Sequence, residues 1–322
     1  MKAIIVKKPG GADMLAYGDA PDPRPNADEL LIRVRATAVN RADILQRMGL
    51  YPPPPGASDI LGLEAVGEVV VPKAGWKVGD RVMAVVTGGG YAELAAVPSS
   101  QAMPVPSSLS FEEAAAVPEA FLTAYLNLFI KGGLRAGETV LIHAGASGVG
   151  TAAIQLAHAA GARVVVTAGT APKRARCREL GADIAIDYKT ESFAEKAISA
   201  TGGKGVDLTL DFIGAPYWEN NLAALAVGGR LVLIGFLGAS AGQLDLAPLL
   251  RKSLTVSATT LRRLPPAEKT KLIKDFAASA LGRFERKELK PVVDSIYPLK
   301  DAADAHRAME ANRNIGKIVL TV

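Results

Sequence analysis

The chain has 322 residues, 49% of them apolar and 21% charged, with 32 glycines and 20 prolines. Those proportions exclude disordered, collagenous and coiled-coil classes, and the length suits two domains, since single cores stop growing near about 250–300 residues. The net charge of +5 and the pI of 9.2 rest on scattered Lys and Arg, in runs no longer than pairs such as Lys7-Lys8, so they suit a small anionic ligand as well as a nucleic acid.

Taken in chain order, Met1 to Gly11 holds too few consecutive apolar residues for a secretory leader and reads as a strand. Residues up to about 110 give short β-like runs, Leu30–Val34, Ala65–Val71 and Val82–Val86, divided by turn clusters such as Tyr51-Pro-Pro-Pro-Pro55 and Gly88-Gly-Gly90. Ser110-Phe-Glu-Glu113 carries a helix-start signal, and an apolar, alanine-rich segment is expected to continue the helix to Ile130. Six strand-like runs then alternate with helix-length segments: 139–143, 163–167, 183–187, 208–211, 230–234 and 254–258. That rhythm predicts an α/β Rossmann fold with a doubly wound parallel sheet. A charged helix is expected over Ala267–Leu281 and a strand over Ile318–Val322. The expected organisation is a cofactor domain at 121–261 inserted in an irregular, mainly-β domain made of 1–120 and 262–322. The most apolar stretch, Leu222–Gly242, is interrupted by Gly228-Gly229-Arg230 and is not read as a membrane span. With no targeting signal and a single cysteine, Cys177, a reducing cytoplasmic location is expected.

The run 139–143 is followed by Ala144-Gly-Ala-Ser-Gly-Val-Gly150 and a helical segment. A glycine-rich turn between strand and helix leaves backbone N–H groups and the positive helix end available to a pyrophosphate. At the end of the next strand an acid would accept from the ribose 2′-hydroxyl of NAD, but Thr167–Arg174 contains none. Lys173, Arg174 and Arg176 sit there instead, so NADP(H) is the expected cofactor, with a solvated basic helix face as the alternative reading of these residues. Catalytic zinc needs about three protein ligands, and Cys177, His143, His158 and His306 lie at no ligand spacing, so no metal is expected. His143 reads as a satisfied strand-end histidine, His158 and His306 as surface or packing residues, and Arg262-Arg263 as a solvated turn in preference to an approach to the cofactor or substrate mouth.

The segment Gly62-Leu-Glu-Ala-Val-Gly67 resembles the Gly-His-Glu-x-x-Gly of zinc-dependent members of the medium-chain dehydrogenase/reductase superfamily, with Leu63 at the ligand histidine. Asn40-Arg-Ala-Asp43, Tyr51–Gly56, Pro118-Glu-Ala120 with Thr123-Ala-Tyr125, His143–Leu156, Asp211-Phe-Ile-Gly214 and Asn312–Leu320 are similar to the zinc-free NADPH:quinone oxidoreductases, zeta-crystallin-like and nearest their stress-inducible branch. The resemblance covers essentially the whole chain and implies a GroES-like first domain. It implies Asn40 beside the nicotinamide, Tyr51 at the substrate, Thr123 at the nicotinamide end, and Ser147, Gly148, Val149 and Gly150 on the pyrophosphate. It further implies Gly169, Lys173 and Tyr188 at the 2′-phosphate, with Ile213, Gly235, Phe236, Leu237, Asn314 and Lys317 lining the rest of the cofactor groove. Bland alternatives stand beside these: Asn40 as a helix cap, Tyr51 as a loop anchor, Tyr188, Ile213 and Phe236 as packing.

The expected activity is metal-free hydride transfer from NADPH to a quinone or conjugated enone, with Asn40 and Tyr51 as hydrogen-bond donors to the oxygen that becomes anionic. A quinone needs no Lewis acid because its reduced oxyanion is resonance-stabilised, whereas an unactivated ketone does. The rivals are an enoyl-thioester reductase of the same fold and, from another class, an RNA-binding or structural crystallin-like protein, favoured only by the basic pI. A homodimer through the cofactor domain, with the run Leu254–Ala258 at the edge, completes the expectations.

Overall fold

Leu30, Ile32, Val34 and Ala36 alternate with more exposed residues along the strand Glu29–Val39, so one face of it is fully buried. In the computed structural model, which describes residues 1–322, this strand organises a first unit made of 1–122 and 261–322. Its sheet runs Val293–Pro298, Lys317–Thr321, Glu29–Val39, Glu64–Val71, Arg81–Val85, Ala102–Pro104, and Leu94–Pro98 also pairs with Glu29–Val39. Lys317–Thr321 lies antiparallel to Glu29–Val39, with Ile318 opposite Val39. One core joins Leu30, Ile32, Val69, Val82 and Val97, and a second packs Ile44, Leu61 and Tyr91 under Ala305 and Met309 of the helix Ala302–Glu310.

Residues 123–260 form the second unit. Its six strands are all parallel and ordered Ile184–Ile186, Arg163–Thr167, Thr139–Ile142, Val206–Asp211, Leu225–Leu233, Thr255–Ala258. Counted along the unit the order is third, second, first, fourth, fifth, sixth, the doubly wound arrangement. The order reverses between the first and fourth strands, which places a ligand site at the carboxyl end of Thr139–Ile142.

Two local expectations need correction. The helix starting at Ser110 does carry a reciprocal cap, Ser110 Oγ accepting from Glu113 N–H at 3.2 Å and the Glu113 carboxylate from Ser110 N–H at 2.9 Å. It nevertheless stops at Ala115, and a new helix, Pro118–Tyr125, passes into a π-helical turn over Leu126–Lys131. Pro118 has no N–H to continue the first helix and suits the first turn of the next. The strand expected from Arg230 starts at Leu225 and runs through Gly228-Gly229, with a register irregularity against Val206–Asp211. No helix is long and apolar enough to cross a membrane.

Candidate active site

In the second unit the strand Thr139–Ile142 is buried throughout and delivers the chain into the glycine turn. Ala144 takes a left-handed backbone, φ +48°, which turns the chain into the helix Gly148–Ala159. Ser147 caps that helix, its Oγ accepting from Gly150 N–H at 3.0 Å. Gly148 and Val149, one and two residues on, find no acceptor for their N–H groups within the chain and are only half-buried. Gly150 has no room for a side chain, since a Cβ there would lie 2.4 Å from the Ala144 carbonyl oxygen and 2.6 Å from that of Gly145. Two open donors at a positive helix end, over a floor only glycine can form, fit a pyrophosphate.

One strand over, Gly169 follows Arg163–Thr167, and a Cβ on it would meet the Tyr188 hydroxyl at 2.8 Å, so the glycine lets that ring lie close. Lys173 stands half-buried in the first turn of the helix Ala171–Glu179. On the same helix, Arg174 pairs with Asp187 at 2.6 Å and Arg176 with Glu179 at 2.8 Å. Ile213 N–H is held by the Asp211 carboxylate at 2.7 Å, and Leu237 N–H by the Phe212 carbonyl at 2.8 Å. Phe236 and Leu237, beyond Gly235, are about half exposed, and the Phe236 ring approaches Gly214 closely. Thr123 is buried, and its carbonyl accepts from Asn127 Nδ2 at 2.7 Å.

His143 is fully buried between Asn221 Oδ1, 2.7 Å from its Nε2, and Thr167 Oγ1, 3.0 Å from its Nδ1. Desolvation pushes its pKa down to about 4, so it is neutral at pH 7. Asn221 Nδ2 donates onward to Asp211, which in turn fixes the N–H groups of Ile213 and Gly214. The histidine thus ties backbone together, and the carboxylate absent from its sequence neighbourhood stands one residue removed.

The first unit places Asn40 and Lys317 in one buried network and Tyr51 in another. Lys317 Nζ donates to Glu64 Oε1 at 2.8 Å, to Asn40 Oδ1 at 2.6 Å and to the Val39 carbonyl at 3.2 Å. Asn40 Nδ2 donates to Glu64 Oε1 at 2.9 Å and to the Ala38 carbonyl at 3.3 Å. Glu64, wholly buried, also accepts from Glu119 N–H at 2.9 Å. Asn40 occupies the N-cap position of the helix Arg41–Arg47, but its side chain points to Glu64 and Lys317, and it is its N–H that engages Asp43, at 2.8 Å. Both amide hydrogens of Asn40 are committed inside the protein, which leaves it no donor for a substrate oxygen. Asn314 is not part of this network; its amide donates to the Gly316 carbonyl at 2.8 Å.

Tyr51, half-buried in its loop, lies 5.3 Å from the guanidinium of Arg262. Arg262 is not the solvated turn residue expected. It is 6% exposed, and its Nε and Nη2 donate to the Thr87 carbonyl at 2.9 and 2.5 Å. His306 is likewise more than helix packing: it is fully buried, with Arg47 Nη1 3.4 Å from its Nδ1 and the Tyr91 hydroxyl 3.2 Å from its Nε2. Burial pushes its pKa down to about 3, and since arginine only donates, the neutral ring carries its proton on Nε2. Tyr91 then donates to Asp43 at 3.3 Å, which links Arg47 to the Asn40 backbone through three buried groups, His306, Tyr91 and Asp43.

Glu64 and Glu119 were given no role from sequence, and the burial of Arg262 was not foreseen. Glu64 and Lys317 each interrupt an apolar strand, in Leu61-Gly-Leu-Glu-Ala-Val66 and Gly316-Lys-Ile-Val-Leu320, which is the signal that could have paired them. Desolvation and the neighbouring Glu64 push the Glu119 pKa up to about 8. The native state therefore favours protonated Glu119, and the penalty for ionising it grows as pH rises from about 4.5 to about 8. Glu119→Gln should raise stability by ~2 kcal/mol at pH 8, allowing for partial exposure, and leave it unchanged near pH 4.5; urea unfolding at the two pH values checks this.

Comparisons with known proteins bear on both units. Residues 26–107 match the alcohol dehydrogenase GroES-like domain, and residues 148–278 match the zinc-binding dehydrogenase family. A quinone oxidoreductase of Pseudomonas aeruginosa is 35% identical over 317 residues, 97% of this chain and 96% of that protein. The chain belongs to the medium-chain dehydrogenase/reductase superfamily. Within the superfamily, the crystal structure of Escherichia coli quinone oxidoreductase complexed with NADPH superposes with a TM-score of 0.91 at 31% identity, covering 100% of both chains. One subunit of the phenolphthiocerol/phthiocerol polyketide synthase of Mycobacterium tuberculosis is 34% identical over 330 residues, 99% of this chain; the chain spans only 15% of that relative's length.

Proposed function

We propose that this superfamily member uses NADPH to reduce quinones or related conjugated enones, without a metal. The observation that carries the cofactor is the Ser147–Gly150 turn with its open N–H groups, next to the strand Arg163–Thr167, whose end bears no carboxylate and is followed by a helix with Lys173 in its first turn. When bound there, NADPH supplies the hydride. The chain's own contributions are positional. Gly148 and Val149 hold the pyrophosphate, Gly169, Lys173 and Tyr188 the 2′-phosphate, and Thr123, Ile213 and the segment Gly235–Leu237 the remainder, together with Asn314. Lys317 and Glu64 hold Asn40 rigidly, so Asn40 presents a fixed amide edge to the nicotinamide, and Tyr51 donates to the acceptor oxygen. Leu63, 2% exposed, puts hydrocarbon where zinc-dependent relatives carry a ligand, which supports an acceptor that needs no Lewis acid.

Steady-state reduction of 1,4-naphthoquinone, 9,10-phenanthrenequinone and crotonyl-CoA under NADPH and NADH tests the reading; fast quinone turnover with NADPH is expected, and turnover confined to the thioester would replace it. The second reading, enoyl-thioester reduction, is favoured by the likeness to a segment of a polyketide synthase. Lys173→Ala should weaken NADPH about 10–150-fold, the equivalent of one charge-assisted contact, and leave NADH nearly unchanged. Equal losses in fluorescence titrations with the two cofactors would remove Lys173 from the 2′-phosphate. A homodimer is part of the proposal. Thr255–Ala258 is a partly exposed edge strand of the parallel sheet, and light scattering on the intact protein distinguishes dimer from monomer.

A further inference from the structure

Arg262 and Lys269 are both 6% exposed, yet neither has a carboxylate within ion-pair distance. Lys269 Nζ rests on the Arg262 carbonyl at 3.2 Å, and the Arg262 guanidinium rests on a single carbonyl, that of Thr87. Arg262 Nη1 is buried with no partner at all. Retaining two buried cations side by side, one with an orphan donor, costs several kcal/mol unless something negative completes them. The acidic group whose field reaches both is Glu119, which its own surroundings hold protonated at pH 7; the field of Asp43 reaches Arg262 alone, from beyond ion-pair distance, so neither cation has a contacting counter-charge. The ring packed against the guanidinium belongs to Tyr51.

We infer that Arg262, backed by Lys269 and covered by the Tyr51 ring, is the oxyanion-holding group of the acceptor subsite. The inference rests on the proposed reduction of conjugated carbonyls. Hydride addition brings two electrons and a hydrogen to the acceptor and leaves the nicotinamide oxidised; an electron pair moves onto the acceptor's carbonyl oxygen, which later takes a proton from water. Asn40 has no N–H left to stabilise that oxygen and the Tyr51 hydroxyl is a neutral donor, whereas Arg262 has a charged donor to spare. The favoured substrates are therefore those whose reduced or enolised form concentrates negative charge on one oxygen, namely ortho- and para-quinones and enones.

The test uses the NADP⁺-loaded enzyme at pH 7 and a binding readout. 2-Hydroxy-1,4-naphthoquinone, ionised to its enolate at this pH, should bind at least about tenfold more tightly than the neutral 2-methoxy analogue. Arg262→Gln should abolish that preference and lower kcat for 1,4-naphthoquinone by about 10²–10³-fold with NADPH affinity unchanged, and Arg262→Lys should restore part of it. Equal binding of enolate and ether to the wild type overturns the inference without any variant, which covers the case that Arg262→Gln fails to fold. Wild-type failure to reduce any quinone would instead sink the proposed function, while the enolate preference stays readable.

Discussion

Lys317→Met should destabilise the first unit by about 3–5 kcal/mol, because it strands the fully buried Glu64 carboxylate without its cation. Neither partner can reach water: the Lys317 and Glu64 side chains are 5% and 0% exposed. The chain has two tryptophans, Trp76 in the first unit and Trp218 in the second, so urea unfolding followed by fluorescence in a Trp218→Phe background reports on the affected unit. Combining Lys317→Met with Glu64→Gln should recover much of the loss, since the uncompensated charge, more than the missing contact, causes it. A loss below about 1 kcal/mol for the single variant would mean that Asn40 Nδ2 and Glu119 N–H satisfy Glu64 by themselves.

The second large effect is expected from Gly150→Ala. The added methyl cannot coexist with the Ala144 carbonyl oxygen at 2.4 Å, so the backbone of the turn must move. Overpacking of this kind costs about 1–3 kcal/mol of stability. The heavier consequence falls on the cofactor: displacing the two N–H groups of Gly148 and Val149 removes two charge-assisted contacts, or roughly a hundredfold or more in NADPH affinity. NADH should lose as much as NADPH, which separates this variant from Lys173→Ala. Fluorescence titration with both cofactors checks it, and an unchanged dissociation constant would show that the pyrophosphate does not sit on this turn.

The parallel sheet was legible because its strands are short apolar runs bounded by turn residues, and the glycine turn because strand, glycines and helix follow one another in the order the geometry demands. The buried electrostatics were not legible. Arg262 stands next to Arg263 after a polar stretch, and nothing local separates a buried guanidinium from a solvated one; its burial depends on Thr87 and Tyr51, 175 and 211 positions away. Asn40 shows the same limit from the other side. Its place ahead of Arg41–Arg47 suggests a side-chain cap, but the long-range contacts with Glu64 and Lys317 take its side chain, so the Asn40 carbonyl accepts from Asp43 N–H while the Asn40 N–H donates to the Asp43 carboxylate. His306, on an amphipathic helix, carried no sign that Arg47 and Tyr91 would meet it in the core.

The strand Lys317–Thr321 sits between Val293–Pro298 and Glu29–Val39, and the Lys317–Glu64 pair spans 253 positions. On the ribosome, residues 123–260 emerge as a contiguous stretch whose strands pair only with one another, so that unit has everything it needs to fold before residue 317 is synthesised. The first unit cannot do the same. Until its final strand arrives, Glu29–Val39 presents an open edge and Glu64 lacks its counterion, a half-built sheet of the kind that chaperones shield. The order of synthesis thus separates the maturation of the two units in time, with the Ser147–Gly150 turn formed before the first unit is complete.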